Sequence, residues 1–310
     1  MKKPNIELEL PIGNVSMDSN LGAYYQDFTQ AMHHFDERYF GEFDEDGIPM
    51  AGFGAQAFYN QVYIIQYGLI AHDLALKGVD VTANEHRMKI CVDWLEKHEE
   101  LVDNERIVWR NDFDYPRYNL KRGWISSMYQ GQAMSLYLRY GQYTNQEDYF
   151  VKKTEKIAAF FSTDYRDGGV SRYDKDGNFW LEEYPSPEPS FVLNGFIYTL
   201  FGIIDLYRIS NNANSKHLMD ECFKTLKASL HLYDAGYWSV YDQLHKELAS
   251  KYYHKNIHIP LLKILFELTN DEIFHRYALR WEKQLNSPFR YSFVKVMYRV
   301  RPRMQKLLKK

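Results

Sequence analysis

Three apolar segments carry a small residue in the same frame: QYGLIAHDL around Gly68, YQGQAMSLY around Gly131 and LNGFIYTLF around Gly195. The glycines are 63 and 64 residues apart, and the next step falls at Ile259 inside IHIPLLKIL. A period of this length is the mark of a repeated supersecondary unit. The apolar spacing is mostly helical. Helices are expected over 55–76, 125–140, 147–161, 191–209, 216–232, 257–268 and 271–285. Between them lie short β-like pieces, RIVWRNDFDYPRYNL, GGVSRYDKDGNFWLEEYP and AGYWSVYDQLH. In the second, DKDGN separates two alternating runs, which reads as a hairpin. Each unit is then a helix pair followed by a hairpin. About four such pairs can bury their apolar faces only around a shared centre. The expected fold is all-α dominated: an α/α toroid, an incomplete α/α barrel, with short β-hairpins roofing a cleft.

The 310 residues suffice for a sizeable core. Three parts are expected: a segment 1–50 packing on the barrel, the barrel domain 51–286, and a basic helix or tail 287–310. Tyrosine is abundant, at 26 residues. That suits a half-wet, sugar-binding cleft, and it suits an aromatic core equally. Cys91 and Cys222 form no disulfide framework and read as buried free thiols. The start MKKPNIELELPIG has no apolar core like that of a signal peptide. No apolar run reaches the roughly 18 residues of a membrane span. A cytoplasmic protein is expected, with peripheral contact to an inner membrane as an option.

That option rests on the tail. Residues 287–310 hold eight basic residues and no acidic one, although the whole chain has a net charge of −3. Such a segment can lie on an anionic membrane, meet a partner such as capsule-assembly machinery, join two copies, or pack as a helix with a solvated basic face. No nucleic-acid motif accompanies it.

Several motifs are set aside. Gly52-Phe-Gly54 matches a dinucleotide fingerprint loosely, but no βαβ unit surrounds it. No phosphate loop or nucleophile elbow is present, and no cofactor is expected. His254 and His258 are four apart with His245 nearby, yet no HExxH motif or cysteine supports a metal. These three histidines are placed with substrate binding instead.

The densest cluster is LEEYPSPEPSFVLNG, residues 181–195. Glu182, Glu183 and Tyr184 end the hairpin, and prolines at 185, 187 and 189 stiffen the link. Ser190 is positioned to cap the next helix. Successive strand residues face opposite ways, so one glutamate shares a face with the interior. Asn194 projects from the helix start. Tyrosines recur in Tyr241-Asp242-Gln243-Leu244-His245 and in Tyr252-Tyr253-His254.

The stretches GWISSMYQGQAMS (123–135), WLEEYPSPEPSFVLNGFIYTLFGIIDLY (180–207), VYDQLH and YYHKNIHI resemble the C-terminal domain of D-glucuronyl C5-epimerases. The resemblance spans roughly residues 50 to 285. It implies an α/α barrel, and an isomerase that turns D-glucuronic acid units of a heparosan-like polysaccharide into L-iduronic acid. The chain looks like a bacterial version, without the β-rich domains and secretory anchor of animal members, which are dimers. By position, Tyr184 matches a catalytic tyrosine, Glu183 the glutamate beside it, and Tyr241 a second functional tyrosine. The family arginine of that last motif is Leu244 here. Tyr253 is matched to the third tyrosine, with Tyr252 and His254 as alternative registers.

Inversion at C5 needs a base on one face of the sugar and an acid on the other. Tyr184 and Tyr253 are expected to serve them, assisted by Glu183 and Tyr241. A phenol has a pKa of about 10, so a phenolate needs cations nearby. Arg110, Arg117, Lys121, Arg122 and Arg172 are the candidates, and they also suit a polyanion. Asn194 and Gln130 are candidates for holding the sugar. A lyase sharing the C5 deprotonation, a uronate-glycan-binding protein and a glycoside hydrolase are the competing readings.

Overall fold

The computed structural model describes residues 8–34 and 41–308. Four antiparallel helix pairs follow one another: α1 (Gln61–Leu76) with α2 (Val81–His98), α3 (Ser127–Tyr143) with α4 (Glu147–Phe160), α5 (Leu193–Ser210) with α6 (Ala213–Ser229), and α7 (Ile259–Thr269) with α8 (Glu272–Leu285). A last helix, α9 (Pro288–Leu308), packs on α8. The first member of each pair is buried over most of its surface, as an inner-ring helix must be, and α3 carries buried polar residues such as Gln130, Ser135 and Arg139 there. The second members bury one stripe, such as Asn84, Met88, Cys91, Val92 and Leu95 on α2. The α/α toroid is therefore the fold. Helix α2 is the element that the periodicity alone does not delimit.

The repeated glycines set the spacing of the inner ring. A Cβ on Gly68 would reach Leu136 of α3 at 2.7 Å. One on Gly131 would lie 2.5 Å from the Thr199 backbone of α5, and one on Gly202 only 2.1 Å from the carbonyl of Gly131. Helices α3 and α5 thus touch backbone to backbone, which a side chain at either site would prevent. Gly195 uses its missing side chain differently, as described below.

Two short antiparallel hairpins follow the first two pairs: β1 (Glu100–Val102) with β2 (Arg106–Val108), and β3 (Ser171–Tyr173) with β4 (Phe179–Leu181). The DKDGN turn closes the second, with Asp174 Oδ1 accepting from the backbone of Asp176 and Asn178. The third expected hairpin is reduced to isolated bridges, Asp234 with Ser239 and Val240 with Leu248. Helix boundaries also move. Asn60 caps α1 by accepting from Val62 N, so the helix starts at Gln61 rather than 55. Ser190 does not cap α5. Its hydroxyl donates to Glu182, and Phe191 takes a positive φ of 42° before the helix begins. Before α7 the chain makes a π-helical turn, Tyr253–His258, of the kind that often marks functional segments.

Residues 8–34 lace across the ring. Tyr24 N donates to Asp73 of α1, Gln26 is joined to Tyr198 of α5 and to the carbonyl of Asn256, and Tyr24, Tyr25 and Phe28 pack with Phe201 and Tyr198. Beneath them lies a wholly buried ionic cluster. Asp205 takes Arg139 at 2.5 Å, Arg208 at 3.3 Å, Ser135 Oγ at 2.6 Å and the Tyr25 hydroxyl at 2.8 Å. Asp205 is 11 residues beyond Asn194 on α5, or about 17 Å along the axis. This plug therefore fills one end of the toroid and leaves the other end open. Among the described residues no helix is long and apolar enough to cross a membrane.

Candidate active site

The open end holds a cavity of about 700 Å³. Its walls come from the first turns of α1, α3 and α5, from the loops before α3 and α5, and from the π-helical turn. The aromatic lining includes Tyr63, Tyr115, Trp124, Tyr129, Tyr184 and Tyr253. Among the described residues its charged ones are Asp114 and Glu183, and no lysine or arginine contributes. The N-terminal ends of three inner helices, each carrying partial positive charge, open on the space instead.

The EEYP segment divides its two acids. Glu182 is turned to Arg172, 3.0 Å away, to the Ser190 hydroxyl and to the backbone N–H groups of Ser190 and Phe191. Burial pushes it up and the guanidinium and hydrogen bonds pull it down, leaving it at about 7. Arg172 also donates to the carbonyls of Ser186 and Pro187 and lies 3.5 Å from the Tyr165 ring centre. This pair anchors the loop and lies outside the cavity lining.

Glu183 enters the cavity. Its Oε2 is buried without a hydrogen-bond partner. Burial pushes its carboxyl up to about 8, against the opposing pull of a hydrogen bond with Tyr184. Gly195 makes the room: a Cβ there would sit 2.2 Å from Glu183 Oε2. Tyr184 is clamped beside it, stacked on Tyr118 at 4.2 Å with Tyr115 edge-on at 5.0 Å. The Tyr118 hydroxyl donates to Asp242 at 2.7 Å. Across the lining, Tyr253 meets the Tyr241 ring at 5.0 Å and shares a hydrogen bond with it. Asn194 lines the cavity with its Oδ1 unpaired. Burial raises Tyr184, Tyr241, Tyr253 and Tyr129 well above the ordinary phenol value, and Glu183 raises them further.

This corrects the expected cationic field. Arg110 pairs with Glu100, Arg117 with Glu247, Lys121 with Asp114, and Arg122 with Asp112. None of these basic residues lines the cavity. Among the described residues no lysine or arginine is placed to stabilise a phenolate, and burial favours the neutral phenols.

The histidines are also placed elsewhere. His254 Nδ1 and His258 Nδ1 both meet Ser239 Oγ, at 2.8 and 2.9 Å, and His254 stacks on Trp238 at 3.6 Å. Burial lowers both to about 3, so they are neutral packing groups. His245 meets Asp242 at 3.1 Å and packs edge-on to Tyr118, one layer behind Tyr184. Gln130 is fully buried with neither amide atom paired, outside the lining. Tyr253, not Tyr252 alone or His254, packs against Tyr241, although Tyr252 lines the cavity too.

Sequence reasoning did not single out Tyr115, Tyr118, Trp124, Tyr129, Tyr63 or Asn60. The repeat frame gave no signal for Tyr129, because counted from the glycines it matches Leu193, while Asn194 matches Gln130.

The family described as D-glucuronyl C5-epimerase C-terminus matches residues 103–283. An uncharacterized protein of Methanocaldococcus jannaschii is 36% identical over 57% of this chain and 58% of its own length. A D-glucuronyl C5-epimerase of Caenorhabditis elegans is 32% identical over 64% of this chain. The matched region spans 35% of that enzyme. A D-mannose isomerase structure superposes with a TM-score of 0.50 over 83% of this chain and 72% of its own, at 11% identity, a likeness of fold alone.

Proposed function

The chain belongs to the D-glucuronyl C5-epimerase C-terminal family, and from that premise we propose that it inverts C5 of D-glucuronic acid units in a heparosan-like polysaccharide, giving L-iduronic acid. The observation that carries the reading is the buried Glu183 carboxyl, with its Oε2 unpaired, beside a clamped Tyr184 in a cavity that also takes Tyr253.

The C5 proton lies α to a carboxylate and is weakly acidic. A base must take it while the substrate carboxylate gains charge. A carboxyl raised to about 8 is a stronger base when ionised than an ordinary glutamate, and it is partly ionised near neutral pH. The expected Tyr184–Tyr253 pair is therefore revised. Glu183 removes the proton, Tyr184 orients it by their hydrogen bond, and the Tyr253 phenol delivers a proton to the opposite face. Tyr241 holds Tyr253, and the cycle closes when Glu183 releases its proton to solvent and the Tyr253 phenolate takes one back. In the reverse direction the two roles exchange. The growing charge meets neutral donors and the ends of the inner helices. Leu244, partly buried against the main core, supplies no cation.

The division of labour is tested with single variants assayed for C5 hydrogen exchange. Tyr253→Phe should lose about 10²–10⁴-fold as a general-acid deletion. Tyr184→Phe should lose less, because it orients rather than transfers. Full activity in both variants would defeat the proposal. An unsaturated product absorbing in the near ultraviolet would reassign the site to a lyase.

A further inference from the structure

Helix α9 carries two opposed apolar faces. Val294 is fully buried, and with Tyr291 and Tyr298 it packs against the Trp238 and Leu248 cluster. The Tyr298 hydroxyl donates to the carbonyl of Ala249 at 2.6 Å. Phe289, Phe293, Val296 and Val300 are instead 85%, 44%, 55% and 37% exposed. At about 100° per residue these four fall within about 60° of one another, opposite the buried face. Lys295 and Arg299 border the stripe on one side, Arg290 and Arg301 on the other.

Arg290 also lines a groove of about 460 Å³ with Arg276, Leu279, Arg280 and Lys283. Arg280 is paired with Asp234 at 2.7 Å. Arg276, Lys283 and Arg290 make no ion pair among the described residues. No acidic residue lies in 287–310 to offset them.

We propose that α9 docks this protein on an anionic lipid surface, with the Phe289–Val300 stripe in the acyl boundary and the bordering cations on the headgroups. The charge pattern selects this occupant. A second copy facing the stripe would set like charges against each other on both borders. A polyanionic glycan would leave the four apolar side chains wet. A lipid surface satisfies both the stripe and the cations.

The test is co-sedimentation of the full chain with vesicles of phosphatidylcholine mixed with phosphatidylglycerol, and with vesicles of phosphatidylcholine alone. Binding should require phosphatidylglycerol and weaken with salt. Phe289→Ser with Phe293→Ser should weaken it about tenfold or more. Arg290→Gln and Arg299→Gln should each weaken it roughly fivefold. All four side chains are exposed or at the border of the stripe, so an unchanged thermal melt certifies each variant as folded. Failure to sediment with the mixed vesicles overturns the proposal. So does equal binding to both vesicle types, or undiminished binding by the double Phe variant. A dimer in solution that the double Phe variant dissociates, without vesicle binding, reassigns the stripe to a second copy.

Discussion

Glu183→Gln should remove C5 exchange and, above about pH 8, make the protein more stable. The two effects have one cause. In the unfolded chain the carboxyl titrates near its ordinary 4.5, and in the folded cavity near 8. Between these values the folded state holds a proton that the unfolded state has released. Stability therefore falls as pH rises through that window, and it is lowest above 8. The full shift corresponds to an upper bound of about 5 kcal/mol. The glutamine variant stays neutral and escapes that loss. Denaturant unfolding at pH 4.5 should find the two proteins nearly equal, and at pH 9 the variant ahead. Activity should fall about 10²–10⁴-fold. A variant that is less stable than wild type at pH 9 would show that Glu183 is not buried as described.

Asp205→Ala should cost about 3–5 kcal/mol, because it leaves Arg139 and Arg208 buried without their counter-charge. A fall of roughly 10 °C in Tm is expected. The Tyr25 hydroxyl and Ser135 lose their acceptor in the same step. Residues 8–34 should then loosen, exposing that segment to protease before the helices. Leu8 and Phe28 line the cavity, so substrate affinity should weaken as well. An unchanged melt would mean that the plug holds through its aromatic packing alone.

The toroid was legible because its cause is periodic. Gly68 and Gly131 recur where inner helices need small residues, Gly195 keeps the same frame to make room for Glu183, and the apolar spacing marks most helices. The EEYP cluster was legible because acids, a phenol and prolines are rarely packed so closely. What stayed hidden depends on partners distant in sequence. Arg172 reads as a free cation until Glu182 is seen 3.0 Å away. His254 and His258 read as substrate-binding groups until Ser239 is placed between them. Ser190 reads as a cap, yet its hydroxyl serves Glu182. Tyr115 and Tyr118 looked ordinary because only the folded loop stacks them around Tyr184.

The central claim is that this cavity abstracts and returns a proton at C5 of glucuronate. Incubating the protein with heparosan and with its N-sulfated derivative in D₂O, and reading the uronate signals by NMR, tests it most directly. The account predicts deuterium at C5 together with the appearance of iduronate in at least one polymer. Absence of deuterium from C5 in both, with a folded protein, would contradict it.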